Sequence, residues 1–341
     1  MAMIKEAIGE LVKGKNLSRE VMTRVMKQIM SGEASEAQIG SFLTALRMKG
    51  ETVEEITGAA EVMREKALKI KAPGECVDTC GTGGDHSLSI NISTGAALVA
   101  AAAGLIVAKH GNRAASSACG SADVLKTLGV NIEAEAPVVE RCLREVGIGF
   151  LFAPLLHGAM RYAIGPRREI GIRTVFNLLG PLTNPAGASR QLLGVFEESL
   201  TETLARVLHY LGSRAALVVH GLDGLDEITL TGPTRVSELK QGQVKNYTIS
   251  PGDFGLKPCR LDDLRGGDPE RNAQVLREVF ADRPGPARDA IALNAGAAIY
   301  VGGKAPTLAE GVKLAQETLA AGLALAKLEQ LIQVSRAKLP A

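Results

Sequence analysis

The 341-residue sequence predicts an α/β protein, with a small N-terminal helical domain ahead of a larger α/β domain built on a mostly parallel central sheet. Three observations predict it. The first 70 residues carry only apolar patterns of helical period. Beyond them, short apolar strands alternate with helical segments, as parallel sheets require. The distinctive polar loops fall after those strands, where parallel sheets gather their ligands.

Taken in order, "MIKEAIGELVKG" is an amphipathic helix ending at Gly14. "LSREVMTRVMKQIMSG" opens on Ser18 as N-cap, with Glu20 close behind, and stops at Gly32. "SEAQIGSFLTALRMKG" and "TVEEITGAAEVMREKAL" repeat the plan, each with a hydroxyl residue followed by acids. These four helices make residues 1–70 a helical domain, completed by part of 158–195, with 71–341 as the α/β domain.

After "KAPGE", the segment "CVDTCG" reads as a strand entering a glycine loop. A helix over 94–103 follows, with Ser93 or Thr94 as its cap near Gly95, and then the strand "LIVAKH". A helix from Ser121 to Gly129, the helical "EAPVVERCLREVG" and the strand "IGFLFAP" continue the alternation. Residues 158–195 interrupt it with Pro and Gly, and are expected to be helices that return to the small domain or form a hinge. The helix "SLTETLARVLHYLG", the strand "RAALVVHG" and the loop "LDGLDEI" resume it. Short strands and turns fill 230–270, and the C-terminal part is helical.

Composition narrows the function. Aromatics are 3% with no Trp, so Ala, Leu, Val and Ile must build the core, with 38 Gly permitting close backbone approach. A net charge of +2 without a basic stripe argues against nucleic-acid binding. Five cysteines with no CxxC pair argue against a disulfide framework or structural zinc, and for reduced thiols in a cytoplasmic protein. The start carries acids and lacks an apolar core, unlike a signal peptide. The longest apolar run, "GAALVAAAAGLIVA", is too short to span a bilayer.

Four motifs carry chemistry. In "CGTGGDHSLSINISTG", Gly81, Gly83 and Gly84 bare their backbone N–H groups ahead of a helix N-terminus, an anion cradle. Asp85 would repel a bare phosphate there, which suits a hydroxyl, an amine or a shared metal ion. Alone, such a loop reads equally as a tight turn with a helix cap. In "KHGNRAASSACGSADVLKTLG", Lys109 ends an apolar strand before a donor-rich loop of Asn112, Arg113, Ser116, Ser117 and Ser121. In "GLDGLDEI", adjacent Asp226 and Glu227 are oxygen ligands of the kind Mg²⁺ shares with substrate phosphates, or simply solvated acids. In "HGAMRYAIGPRREIG", Arg167 can grip a carboxylate bidentately and His157 can line an organic pocket, although lone His and Arg residues are more often structural.

"DTCGTGGD", "NISTGAA", "KHGNR", "GSADVL", "RTVFNLLGPLTNP" and "LDEI" together resemble the anthranilate phosphoribosyltransferase family, in its order and spacing, over essentially the whole chain. The resemblance implies the nucleoside phosphorylase/phosphoribosyltransferase type of fold and a homodimer packed through the helical domain. It implies attack of the anthranilate amine on C1 of 5-phosphoribosyl 1-diphosphate (PRPP), releasing diphosphate, in tryptophan biosynthesis, with two Mg²⁺ ions per subunit. Because the amine needs little activation, no side chain is expected to form a covalent intermediate. Carried over by position, PRPP would be bound by Gly81, Gly84, Asp85, Ser89, Asn91, Ile92, Ser93, Thr94, Lys109, His110, Gly111, Asn112, Arg113, Ala114, Ala115, Ser116, Ser117 and Ser121. Gly81, Asn112 and Arg167 would contact anthranilate, with His157 and Tyr162 nearby, and Ser93, Asp226 and Glu227 would hold the metal. Two positions depart from the family pattern. "HSLSI" replaces a more usual "GANTF", Ser89 keeping a hydroxyl, and Gly158 replaces a Pro, loosening the turn after His157. A pyrimidine nucleoside phosphorylase of the same fold would lack the paired "DE", and a nucleic-acid-binding paralogue would show a basic surface.

Overall fold

The computed structural model of the protein describes residues 2–85, 87–114 and 118–337. Helices α1 (Ala2–Val12), α2 (Arg19–Met30), α3 (Glu36–Lys49) and α4 (Val53–Lys66) come first. Ser18, Ser35 and Thr52 cap the last three, each accepting the N–H of the residue three places on. At α3 and α4, Gln38 and Glu55 return the bond, closing capping boxes. Glu55 is fully buried, paired with Lys49 at 2.7 Å and accepting the Leu17 N–H at 2.8 Å, so one carboxylate ties α3 and α4 to the connection that leads into α2.

The α/β part runs β1 (Val77–Gly81), α5 (Ile92–Ala102), β2 (Val107–Gly111), α6 (Ser121–Leu128), α7 (Ala136–Arg141) and β3 (Ile148–Phe152). A π-helical turn over Cys142–Val146 lies between α7 and β3. Helices α8 (Ala153–Leu156), α9 (Arg161–Ile170) and α10 (Phe176–Leu179) then lead to β4 (Arg190–Gly194), α11 (Leu200–Tyr210) and β5 (Ala215–Gly221). A hairpin of β6 (Thr234–Lys240) and β7 (Gln243–Ile249) precedes α12 (Pro269–Phe280), α13 (Pro286–Val301), α14 (Leu308–Ala320) and α15 (Leu323–Arg336). Helix α9 packs on α2 and α3, and α10 on α4, so part of the 158–195 segment lies against the N-terminal bundle.

The seven strands lie in the order β3-β2-β1-β4-β5-β6-β7. Strands β1 to β5 are parallel and the β6–β7 hairpin is antiparallel. Strand β4, at the centre of the sheet, corrects the sequence expectation, which left 158–195 without a strand. Alternate residues of each strand feed two cores. Val77, Leu192, Leu217 and Val219 face α5 and α13, whereas Cys80, Leu193, Ala216 and Val218 face α11 and the N-terminal bundle. Among the described residues no helix is long and apolar enough to cross a membrane. All five cysteines are free thiols, four of them buried.

Candidate active site

The chain leaves β1 to build β2 and β3 on one side and returns to build β4 and β5 on the other, so β1 and β4 flank the switch point where such sheets bind ligands. Gly81 and Gly194, the last residues of those strands, sit in register. Across them lies Asp226, from the loop after β5. A Cβ at Gly81 would meet the Asp226 carboxyl carbon at 2.9 Å, and one at Gly194 would overlap the Asp226 carbonyl. Bare strand ends therefore let the acidic loop settle onto the sheet.

Both acids of that loop find backbone donors. Asp226 Oδ2 accepts the Gly83 N–H at 2.7 Å, and Glu227 Oε1 accepts the Ser93 N–H at 3.0 Å. The glycine loop, the N-terminus of α5 and the "DE" pair, remote in sequence, thus share one site. Each acid is about nine-tenths buried. Burial, then Glu227 and then Asp85, holds the Asp226 carboxyl well above the usual carboxylate range. Burial raises Glu227 too, opposed by Lys109 and the Ser93 N–H. Two desolvated neighbouring carboxylates are an oxygen donor set short of positive charge. No group of three or more His, Cys, Asp or Glu among the described residues could hold a metal by itself. The pair suits Mg²⁺, which takes one or two carboxylates and completes its shell with water and substrate phosphates.

Gly83 and Gly84 adopt φ of +68° and +80°, which only Gly enters without strain. Asp85 turns onto Ser87, accepting its hydroxyl at 2.6 Å, and the Ser89 N–H reaches the Ser87 Oγ at 3.3 Å. Helix α5 begins at Ile92 rather than near Gly95, because the Asn91 carbonyl already accepts the Gly95 N–H at 3.0 Å. Ser93 and Thr94 are therefore first-turn residues and not caps, which corrects the sequence expectation. That position leaves the Ser93 N–H pointing out of the helix, where a carboxylate can take it. Thr94 Oγ1 is buried without a hydrogen-bond partner among the described residues. Asn91 spans to Cys119 O at 3.1 Å and receives Asn272 Nδ2 at 2.9 Å.

Lys109 sits in the middle of β2 rather than at its end, almost wholly buried, its Nζ 2.6 Å from Thr79 O and 3.5 Å from Ser93 Oγ. Its ammonium thus lies at the α5 N-terminus beside Glu227. Burial lowers its pKa, and Asp78 opposes that most strongly. Beyond it, a Cβ at Gly111 would overlap Ser121 Oγ, and the Asn112 carbonyl receives Ser121 Oγ at 3.3 Å and the Ala122 N–H at 3.1 Å. The Ala114 N–H binds Asp123 at 3.0 Å, while the Arg113 guanidinium turns to Asp123, Glu133 and the Phe152 ring. Ala115, Ser116 and Ser117 lie outside the described residues.

On the opposite face of β2, His110 Nε2 meets His157 Nε2 at 3.2 Å. Burial pushes His110 down to about 3 and His157 to about 4, so both rings are neutral and share one proton between their nitrogens. Arg167 stacks on Phe176, 5.1 Å from the ring centre. Burial lowers its pKa, and no described carboxylate pairs with it. Tyr162 packs against Gly32 of the bundle and accepts a bond from Arg161 at 2.7 Å.

The sequence reading missed two residues here. Arg173 donates to Gly84 O and stacks over Phe196 at 4.3 Å, joining the 158–195 segment to the glycine loop. Gly194 lies on the strand that was not foreseen. Arg173 begins the quoted "RTVFNLLGPLTNP", so a signal existed; Gly194 had none.

The comparisons fit this geometry. Residues 5–67 match the helical bundle domain of a glycosyl transferase family, and residues 73–325 match that family's a/b domain. The anthranilate phosphoribosyltransferase of Syntrophotalea carbinolica is 54% identical, covering 98% of this chain and all of that protein. The Geobacter sulfurreducens protein of the same name is 53% identical, covering 98% and 99%. Among solved structures, the anthranilate phosphoribosyltransferase of Thermus thermophilus matches with a TM-score of 0.92 at 46% identity, covering 97% of this chain and 99% of that one. The Saccharomyces cerevisiae enzyme in complex with PRPP and Mg matches with a TM-score of 0.89 at 28% identity, covering 98% of each. The chain belongs to the anthranilate phosphoribosyltransferase family.

Proposed function

We propose that this site moves the phosphoribosyl group of PRPP onto the amine of anthranilate, the nitrogen forming a bond to C1 as the C1–oxygen bond to diphosphate breaks. The observation that carries it is the meeting of Asp226 and Glu227 with the glycine loop and the α5 N-terminus at the switch point. The family match and a yeast relative solved with PRPP and Mg support the same reading.

The glycine-loop amides, Asn91 to Thr94, Lys109 to Ser117 and Ser121 hold PRPP in this reading, with Lys109 as the fixed positive charge near the leaving diphosphate. Two Mg²⁺ ions, held by Asp226, Glu227 and the Ser93 hydroxyl, would neutralise charge that develops on that diphosphate. Arg167, desolvated and without a carboxylate of its own, takes the anthranilate carboxylate. Gly81 and Asn112 contact the same substrate, and the neutral His157 walls the aromatic pocket, with Tyr162 toward the bundle. Neither His110 nor His157 is poised as a base near neutral pH, so positioning of the amine carries the reaction. No side chain forms a covalent adduct.

A homodimer is proposed through the helical domain. Val12 and Met48, 74% and 83% exposed, border a 990 Å³ groove between α1, α3 and α9. The test of function is the loss of anthranilate fluorescence on mixing with PRPP, followed with Mg²⁺ and with EDTA; a chain without Trp adds little background. Mg²⁺-dependent loss supports the reading, and no loss from folded protein refutes it.

A further inference from the structure

Strand β1 pairs with β4 along all five of its residues, but with β2 it is in register only at Val77 and Val107. Beyond that pair the two strands are bridged by side chains. Asp78 Oδ1 accepts the His110 N–H at 3.1 Å. Asp78 Oδ2 accepts Asn184 Nδ2 at 2.8 Å, and the same Nδ2 reaches the Ala108 carbonyl at 2.8 Å. Asn184 Oδ1 is fixed in turn by the Ala186 N–H at 2.9 Å. On the other face of the sheet, Lys109 Nζ occupies the Thr79 carbonyl. Three main-chain groups of the splayed ends, Thr79 O, Ala108 O and His110 N, are thus satisfied by side chains.

An ionisable residue at this place needs a reason. Asp78 is completely buried, and burial pushes it up to about 6 despite Lys109, Asn184 and the His110 N–H. A neutral residue pairing by ordinary ladder bonds would avoid that penalty. What the arrangement achieves is a gap. The glycine loop leaves the end of β1 and the loop beginning at Asn112 leaves the end of β2, so the spacing between these strand ends sets the spacing between the two loops.

We propose that Asp78 and Asn184 are positioning residues for PRPP, wedging β1 and β2 apart so that the diphosphate fits between the glycine loop and the end of β2 with the 112–114 loop that follows it. This rests on the proposed function, and the wedge acts through the backbone without touching substrate. Asp78→Asn keeps the side chain's shape but sets an amide against the Asn184 amide, which cannot flip without losing Ala186. Asn184→Ser withdraws the other half of the wedge and serves if the first variant does not fold. For either, measured on folded protein well below its melting temperature, the KM for PRPP rises at least about ten-fold, while the KM for anthranilate stays within about two-fold.

Calorimetric titration of PRPP with Mg²⁺ into the same proteins should show the matching loss of affinity. A lowered melting temperature with both KM values and the PRPP affinity unchanged makes the pair a purely structural device and overturns the proposal. Equal changes in both KM values overturn it too. A wild-type protein that binds PRPP but leaves anthranilate untouched refutes the proposed function instead, and the titration then decides the wedge alone.

Discussion

Gly194→Ala tests whether the placement of the acidic loop controls turnover. Strand β4 is held in register on both sides, Gly194 opposite Gly81 of β1 and Val219 of β5, so it cannot give way. The new methyl group would overlap main-chain atoms of Asp226, which have no rotamer to escape into. To reach the closest approach that real Cβ atoms show, the Asp226 backbone must withdraw by about 1.5 Å, taking both carboxylates with it. A displacement of roughly 1 Å at a reacting centre costs about 100-fold in rate, or about 2.7 kcal/mol of transition-state stabilisation. The fluorescence assay at saturating PRPP and Mg²⁺ should show kcat lowered by that factor or more, with circular dichroism reporting a folded protein. Gly158→Ala is the control: a Cβ there meets nothing within 4 Å, and kcat should stay within about two-fold. A folded Gly194→Ala enzyme with more than half the wild-type kcat would show that these acids need not sit where the structure holds them.

Asp226→Asn with Glu227→Gln should reduce turnover below about 1% of wild type without lowering the melting temperature. An acid whose pKa is raised on folding destabilises the protein as pH climbs past its unfolded value, so at pH 8 in EDTA the double variant should melt higher; a lower melting temperature would count against the repulsion. His110 and His157 act in the opposite sense. Their pKa values fall to about 3 and 4 on folding, so their contribution is complete above about pH 6.5 and is lost as pH drops. Asp78, raised to about 6, partly offsets that loss, so the comparison is with His157→Gln. Between about pH 6.5 and 4, wild-type stability should fall more steeply than the variant's by about 1.4 kcal/mol per pH unit, read from urea midpoints; parallel curves would mean His157 is charged in the fold. Arg167→Lys should raise the KM for anthranilate about ten-fold and leave that for PRPP unchanged; equal effects on both would remove Arg167 from the anthranilate pocket.

Local signals were legible and distant ones were not. Ser18 is readable as a cap because capping needs only the next three residues. Strand β4 was hidden for a physical reason. "RQLLG" is five residues long, opens with two polar residues and follows a Pro/Gly-rich stretch, so neither alternation nor a long apolar run marks it. Its central place depends on partners far away: its buried Gln191, which donates to Pro181 O at 2.7 Å, also faces Cys80 of β1, 111 residues distant. The early start of α5 was missed because Asn91 caps without a side-chain bond, while the more familiar Ser93 and Thr94 stand inside the first turn. Asp226 and Gly83 are 143 residues apart, and only the family pattern brought them together before the fold was known.

The glycines of the first loop serve two different physical needs. Gly83 and Gly84 supply left-handed backbone, whereas Gly81, with Gly194 beside it, supplies room for Asp226. The amides that look like an empty phosphate cradle in sequence are not idle in the fold. Gly83 N–H and Ser93 N–H each hold a carboxylate. Phosphate and carboxylate compete for the same donors, so an anion can take those amides only as the acids find positive charge elsewhere. That exchange gives Asp85, Asp226 and Glu227 a common logic: acids crowded at an anion site repel a bare phosphate and favour one that arrives with a cation. On the proposed function, the same crowding would select the metal-bound form of the substrate.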